Sequence, residues 1–172
     1  EIYTLSLHDA LPIFDSSVAT NVANLAFGTN KKNASVEAKT FVLSGSNLDD
    51  NNDVTVNAPT GYKVSIGEGV PASSLTVTPS SGSISATIIV TPITSTPGTF
   101  NSNITISSDD LDDDVTLALT MTIQQTYTVN WWINGGEDPA ETQTDIVGTT
   151  LDVPNDFSAF TDCSNFTFLG WK

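Results

Sequence analysis

From Leu25 to Ile123 the apolar and polar residues of this chain alternate with a period of two. The clearest run is Val115, Leu117, Leu119, Met121 and Ile123, interleaved with Thr116, Ala118, Thr120 and Thr122. Successive side chains of an extended strand point to opposite faces, so this spacing predicts a half-buried β-strand with threonines on its wet side. Shorter runs repeat the pattern: Leu25 and Phe27; Phe41 and Leu43; Val54 and Val56; Tyr62, Val64 and Ile66; Leu75 and Val77; Ile84, Ala86, Ile88 and Val90; Ile104 and Ile106. Turn residues separate them, at Ser44–Asn47, Pro59–Gly61, Gly67–Gly69, Pro79–Gly82, Pro97-Gly98 and the acidic stretch after Ser108. Glycine supplies positive φ and proline presets the first turn position, so each break has a mechanism. No apolar stripe at helical spacing extends beyond a turn or two. Strands at this even spacing over roughly 100 residues predict an immunoglobulin-like β-sandwich. Without a Cys…Trp…Cys spacing, core packing alone would hold it together.

A second unit begins after Gln124-Gln125. Tyr127, Val129, Trp131 and Ile133 alternate, Asn134-Gly135-Gly136 turns the chain, and Thr142–Val147 could return as a second strand. Leu151-Asp152-Val153-Pro154 and Phe166-Thr167-Phe168-Leu169-Gly170-Trp171 follow. The predicted organisation is therefore a linker at 14–23, a sandwich at 24–124 and a small β module at 126–172.

Two resemblances accompany this reading. The phrases LAFGTN, KTFVLSGSNL, DVTVNAPTGYKVS, SLTVTPSSGSISATIIVTP and PGTFNSNITISS occur in an order that resembles the immunoglobulin-like repeats of secreted bacterial surface proteins. Residues 126–172 resemble the internalin-type B-repeat, or Listeria–Bacteroides repeat, whose pattern is met by Tyr127-Thr128-Val129, by Pro154, and by the ending Phe168, Gly170 and Trp171. The paired Trp131-Trp132 departs from that pattern, and the chain stops just past the closing motif. The resemblances imply a spacer or binding module of a longer exported chain, with a truncated, incomplete β-grasp-like repeat after the sandwich. They bring no catalytic residues. The implied partners are neighbouring modules of the same chain and a host or matrix protein or glycan, at the cell surface or outside the cell.

The first 13 residues, EIYTLSLHDALPI, resemble translated sequencing-adapter DNA and are set aside as an artefact. His8, the single histidine, falls in that segment. The five basic residues are all lysines, and the formal charge of −15 becomes −13 when Glu1 and Asp9 are removed. Nucleic-acid binding needs arrays of Lys and Arg on one face, which this chain lacks, and docking on anionic lipid is disfavoured for the same reason. No apolar run approaches the roughly 20 residues of a membrane-spanning helix, so this segment is not expected to insert in a membrane. Only 15% of residues are charged, so Thr, Ser and Asn supply most of the polar surface, unlike a helical enzyme.

The candidate chemistry is sparse. Asp109, Asp110, Asp112, Asp113 and Asp114 form an acidic stretch of hard oxygen donors, as Ca²⁺ requires. Asp49, Asp50 and Asp53 form a second acidic turn. Neither has EF-hand spacing, and the competing reading is a solvated hairpin tip whose charge blunts strand edges. No other cofactor is implied. Glycosidase chemistry would need one carboxylate with a raised pKa in a cleft, and nothing in the sequence surrounds one of these with an apolar pocket. Without His8 there is no Ser-His or Cys-His pair, and Cys163 has no second cysteine. Trp131 and Trp132 point to opposite faces if the strand continues. Trp132 is then either packed between modules or a stacking platform for a sugar ring. The expectation is a non-catalytic structural or adhesive module; a carbohydrate-binding accessory module of an extracellular hydrolase is the alternative.

Overall fold

The computed structural model describes residues 15–131 and 141–148. The chain divides into two compact units, Glu1–Ile123 and Gln124–Lys172. Among the described residues there is no helix, and hence none long and apolar enough to cross a membrane.

The first unit is an immunoglobulin-like sandwich of two antiparallel sheets. Strands β1 (Ser17–Thr20), β3 (Lys39–Ser46), β7 (Ser83–Pro92) and β5 (Tyr62–Ile66) lie in that order in one sheet. Strands β2 (Asn24–Lys31), β10 (Val115–Gln124), β9 (Ser102–Ser107), β4 (Val54–Asn57) and β6 (Ser74–Val77) form the other, and the short β8 (Gly98–Thr99) pairs with β10.

The alternation seen along the sequence becomes cross-strand apolar pairs on the inner faces. Phe41 lies opposite Ile88 and Val64 opposite Val90 in the first sheet. Leu117 lies opposite Ile104 and Val56 opposite Ile106 in the second. All of these side chains are buried. Each fully buried Leu, Ile or Val contributes about 1.5–3 kcal/mol over its exposed state, and the two inner faces together form one continuous core. Ser65 is the single polar residue buried among the described residues.

Two positions depart from the simple pattern. Residues 14–23, read from sequence as a linker, contain β1, and Val18 within it belongs to the core. One apolar residue among Ser and Thr is too short a pattern to mark a strand; pairing with β3 makes it one. Ile66 lies opposite Ile88, yet is 42% exposed. It is the last residue of a strand at the end of its sheet, where a neighbour covers one side only. Just before it, Ala72 returns to exchange both backbone hydrogen bonds with Val64 and closes that edge.

The passage between sheets at the N-terminal side is set by one asparagine. After β1 ends, the Asn21 N–H donates to the Val42 carbonyl at 3.1 Å. The Asn21 side-chain oxygen accepts the Val42 N–H at 2.7 Å. Two residues later the Ala23 carbonyl accepts the Ala118 N–H of β10. The side chain thus takes the place of the strand that has left. The open edge of β2 is blunted as well: Lys39 Nζ donates to the Ala26 carbonyl at 2.7 Å, and Asn30 Nδ2 to the Phe27 carbonyl at 2.9 Å.

In the second unit, β11 (Tyr127–Trp131) and β12 (Glu141–Ile146) pair antiparallel, with Tyr127 opposite Ile146, Val129 opposite Gln143 and an irregularity between the two pairs. The Thr142 hydroxyl lies 3.0 Å from the Asn130 side-chain oxygen and donates to it. The return strand expected at 142–147 is therefore present as β12.

Candidate functional site

The acidic loops expected as candidate ligands meet at one end of the sandwich. The loop from Asn47 to Asp53 follows β3 and is anchored by Leu48, whose side chain is buried and whose N–H donates to the Gly82 carbonyl at 3.1 Å. Asp49 begins an Asx turn: its Oδ1 accepts the Asn51 N–H at 2.9 Å and the Asn51 side-chain amide at 2.8 Å. These bonds, the backbone one foremost, favour the charged form and hold the Asp49 carboxyl below its ordinary value.

Three other carboxylates in these loops each accept a hydrogen bond from a neighbouring segment. Asp50 Oδ1 and Oδ2 accept the Gly82 and Ser81 N–H groups at 2.8 and 3.0 Å. Ser81 and Gly82 both have positive φ, 53° and 70°. This is the mirror-image turn that aims two N–H groups the same way, and the carboxylate sits across them. Asp53 Oδ1 accepts the Thr78 hydroxyl at 2.6 Å. Asp110 Oδ2 accepts the Asp49 N–H at 2.7 Å, while its Oδ1 accepts the Asn52 side-chain amide at 2.6 Å. Leu111 packs partly against the core beside it.

Of the five predicted aspartates, the structure therefore ties Asp110 to the Asp49–Asn52 turn. Asp109, Asp112, Asp113 and Asp114 are exposed and make no side-chain hydrogen bond within the described residues. Among those residues, no three His, Cys, Asp or Glu side chains are grouped to hold a metal ion. The partners of Asp50, Asp53 and Asp110 were not foreseen from sequence. Asp-Asn runs beside Gly turns were visible, but nothing local says which N–H each carboxylate will meet.

Of the second unit's motif residues, Tyr127 and Val129 lie in β11, with Tyr127 54% exposed. Trp132, Pro154, Phe168, Gly170 and Trp171 fall outside the described residues.

A buried tyrosine makes a second polar contact, at the edge of the sandwich core. The Tyr62 hydroxyl donates to the Phe100 carbonyl at 2.7 Å. Its ring packs on Phe27 at 5.5 Å, and Lys39 Nζ lies 5.7 Å from the centre of the Phe27 ring. Burial pushes the Tyr62 hydroxyl up to about 12. A buried phenol bonded to a backbone carbonyl serves packing, not proton transfer at neutral pH.

No family model matches the chain. No curated protein matches it. Solved structures resemble it in shape. A family 123 glycoside hydrolase from Clostridium perfringens is similar over 64% of this chain, at 10% identity and a TM-score of 0.41; the chain spans 27% of the hydrolase. The CooA pilin subunit from enterotoxigenic Escherichia coli is similar over 63% of this chain and 97% of its own, at 15% identity and a TM-score of 0.36. The periplasmic chaperone SfaE is similar over 81% of this chain and 88% of its own, at 13% identity and a TM-score of 0.31. At these identities and TM-scores the likenesses carry no argument about function.

Proposed function

We propose that this chain is a non-catalytic structural module of a secreted or cell-surface protein, in which a β-sandwich spaces and presents loops. The observation that carries the reading is the use made of the acidic loops. Asp49, Asp50, Asp53 and Asp110 accept hydrogen bonds from their own and neighbouring turns. Carboxylates engaged in this way fasten loops and are poorly placed to abstract or donate a proton. The inner faces support the same reading: among the described residues they are lined by apolar side chains, and the Tyr62 hydroxyl enclosed with them is already bonded to the Phe100 carbonyl. On this reading residues 24–124 are one immunoglobulin-like repeat of a modular bacterial surface chain, Tyr127-Thr128-Val129 opens a B-repeat, and adhesion to a matrix protein or glycan would use exposed loops.

The test is a paired one. The purified chain is incubated with glycoside, ester and peptide substrates, and intact cells of its source are labelled with antibody before and after protease shaving. The reading expects no turnover, and surface label that shaving removes. Turnover abolished by Asp110→Asn or Asp50→Asn, or label seen only in lysed cells, would overturn it.

A further inference from the structure

We propose that Asn33 is an acceptor for an N-linked oligosaccharide on the folded chain, whereas Asn103 is shielded by its strand. Asn33-Ala34-Ser35 and Asn103-Ile104-Thr105 both have the Asn-x-Ser/Thr spacing of such acceptors, as does Asn165-Phe166-Thr167 outside the described residues. The tertiary structure separates the first two.

Asn33 lies in the connection from β2 to β3, and both it and Ser35 are exposed. Its φ is +61°, the left-handed region that swings a side chain off an extended path. Its backbone is pinned: the Asn33 N–H donates to the Thr94 carbonyl at 2.9 Å, and the Thr94 hydroxyl donates to the Ala34 carbonyl at 2.9 Å. The side-chain amide of Asn33 and the hydroxyl of Ser35 make no hydrogen bond within the described residues. Six other asparagines, Asn21, Asn30, Asn47, Asn51, Asn52 and Asn130, bond through their side chains; Asn103, like Asn33, does not, so exposure of the whole motif and not the amide alone separates the two sites. Asn33 keeps its amide free on a held loop.

Asn103 is exposed too, but its motif is a strand. Asn103 lies opposite Ala118 of β10, and Thr105 opposite Thr116 and Asn57. Ile104 between them is completely buried in the core. A transferase that must wrap around the three residues would have to pull Ile104 out of the core.

The transfer balances without any redox partner. The donor is a lipid pyrophosphate-linked oligosaccharide. The Asn33 amide nitrogen forms a bond to the anomeric carbon, the bond from that carbon to the pyrophosphate oxygen breaks, the lipid pyrophosphate leaves with the electron pair, and the amide proton passes to a base of the transferase. The inference rests on the exported-module reading for its cellular setting alone; the reaction on the purified chain is independent of it.

The experiment treats the folded chain, carrying Asn165→Gln, with a single-subunit oligosaccharyltransferase and a lipid pyrophosphate-linked oligosaccharide. Occupancy is read by intact mass and peptide mapping. Synthetic peptides covering residues 29–38 and 99–108 report the unfolded motifs. The expected result is both peptides modified, the folded chain modified at Asn33 with Asn103 at background, and the Asn33 product lost in Ser35→Ala. A folded chain unmodified at Asn33, equal occupancy at Asn103, or a 29–38 peptide that accepts nothing would each overturn the proposal.

Discussion

The Asp110 carboxylate binds the Asn52 side-chain amide at 2.6 Å, across 58 residues of sequence. One oxygen takes that amide and the other takes the Asp49 N–H, so a single side chain joins the loop after β3 to the loop before β10. The remaining aspartates of its stretch face solvent.

Asp110→Ala is therefore expected to cost about 1–2 kcal/mol, the range for charge-assisted bonds discounted for partial exposure. Asp112→Asn, Asp113→Asn and Asp114→Asn should each stay within about 0.5 kcal/mol of the parent, as surface changes without partners do. Urea denaturation at neutral pH measures both. A larger loss in any of the three than in Asp110→Ala would refute the clamp.

Asp50 should protect the turn it spans. In Asp50→Ala the Ser81 and Gly82 amides lose their acceptor, and their hydrogen exchange is expected to quicken while the amides of β7 beyond Ile84 keep their protection. Stability should fall by about 0.5–1.5 kcal/mol.

Gly61 has φ of +94°, and a Cβ placed there would lie 2.6 Å from Cδ1 of Phe100. Backbone strain and overpacking combine at one position, so Gly61→Ala is expected to destabilise by about 2–4 kcal/mol. The double variant Gly61→Ala with Phe100→Ala should lose less than the sum of the two singles, because the clash is shared.

Tyr62 makes stability depend on alkaline pH. Its folded pKa, about 12, lies above the ordinary 10.0. The unfolded chain releases the phenol proton first, so this contribution is whole below pH 10 and is lost as pH rises toward 12. Tyr62→Phe gives up the bond to the Phe100 carbonyl, at about 0.5–1.5 kcal/mol near neutrality, and should flatten the decline between pH 10 and 12. Denaturant midpoints across that window decide it; an unchanged slope in the variant would count against the assignment.

Much of the first unit was legible residue by residue. Leu117, Leu119, Met121 and Ile123 are buried as their alternation requires, because the two-residue period of a strand is a local property. The same locality explains the failures. Val18 offered one apolar position and no pattern, and only pairing with β3 made it core. Ile66 had the right period, but the end of its sheet left it open.

The chain's own order of residues determined that it would be all-β, where its turns would fall and which face of each strand would be dry. Sheet order, the partners of Asp50 and Asp110, and the difference between an open Asn33 and a strand-bound Asn103 were decided by the tertiary structure. A side chain's face follows from its nearest neighbours along the backbone. Its partner is supplied by a segment tens of residues away, whose arrival depends on the whole core closing.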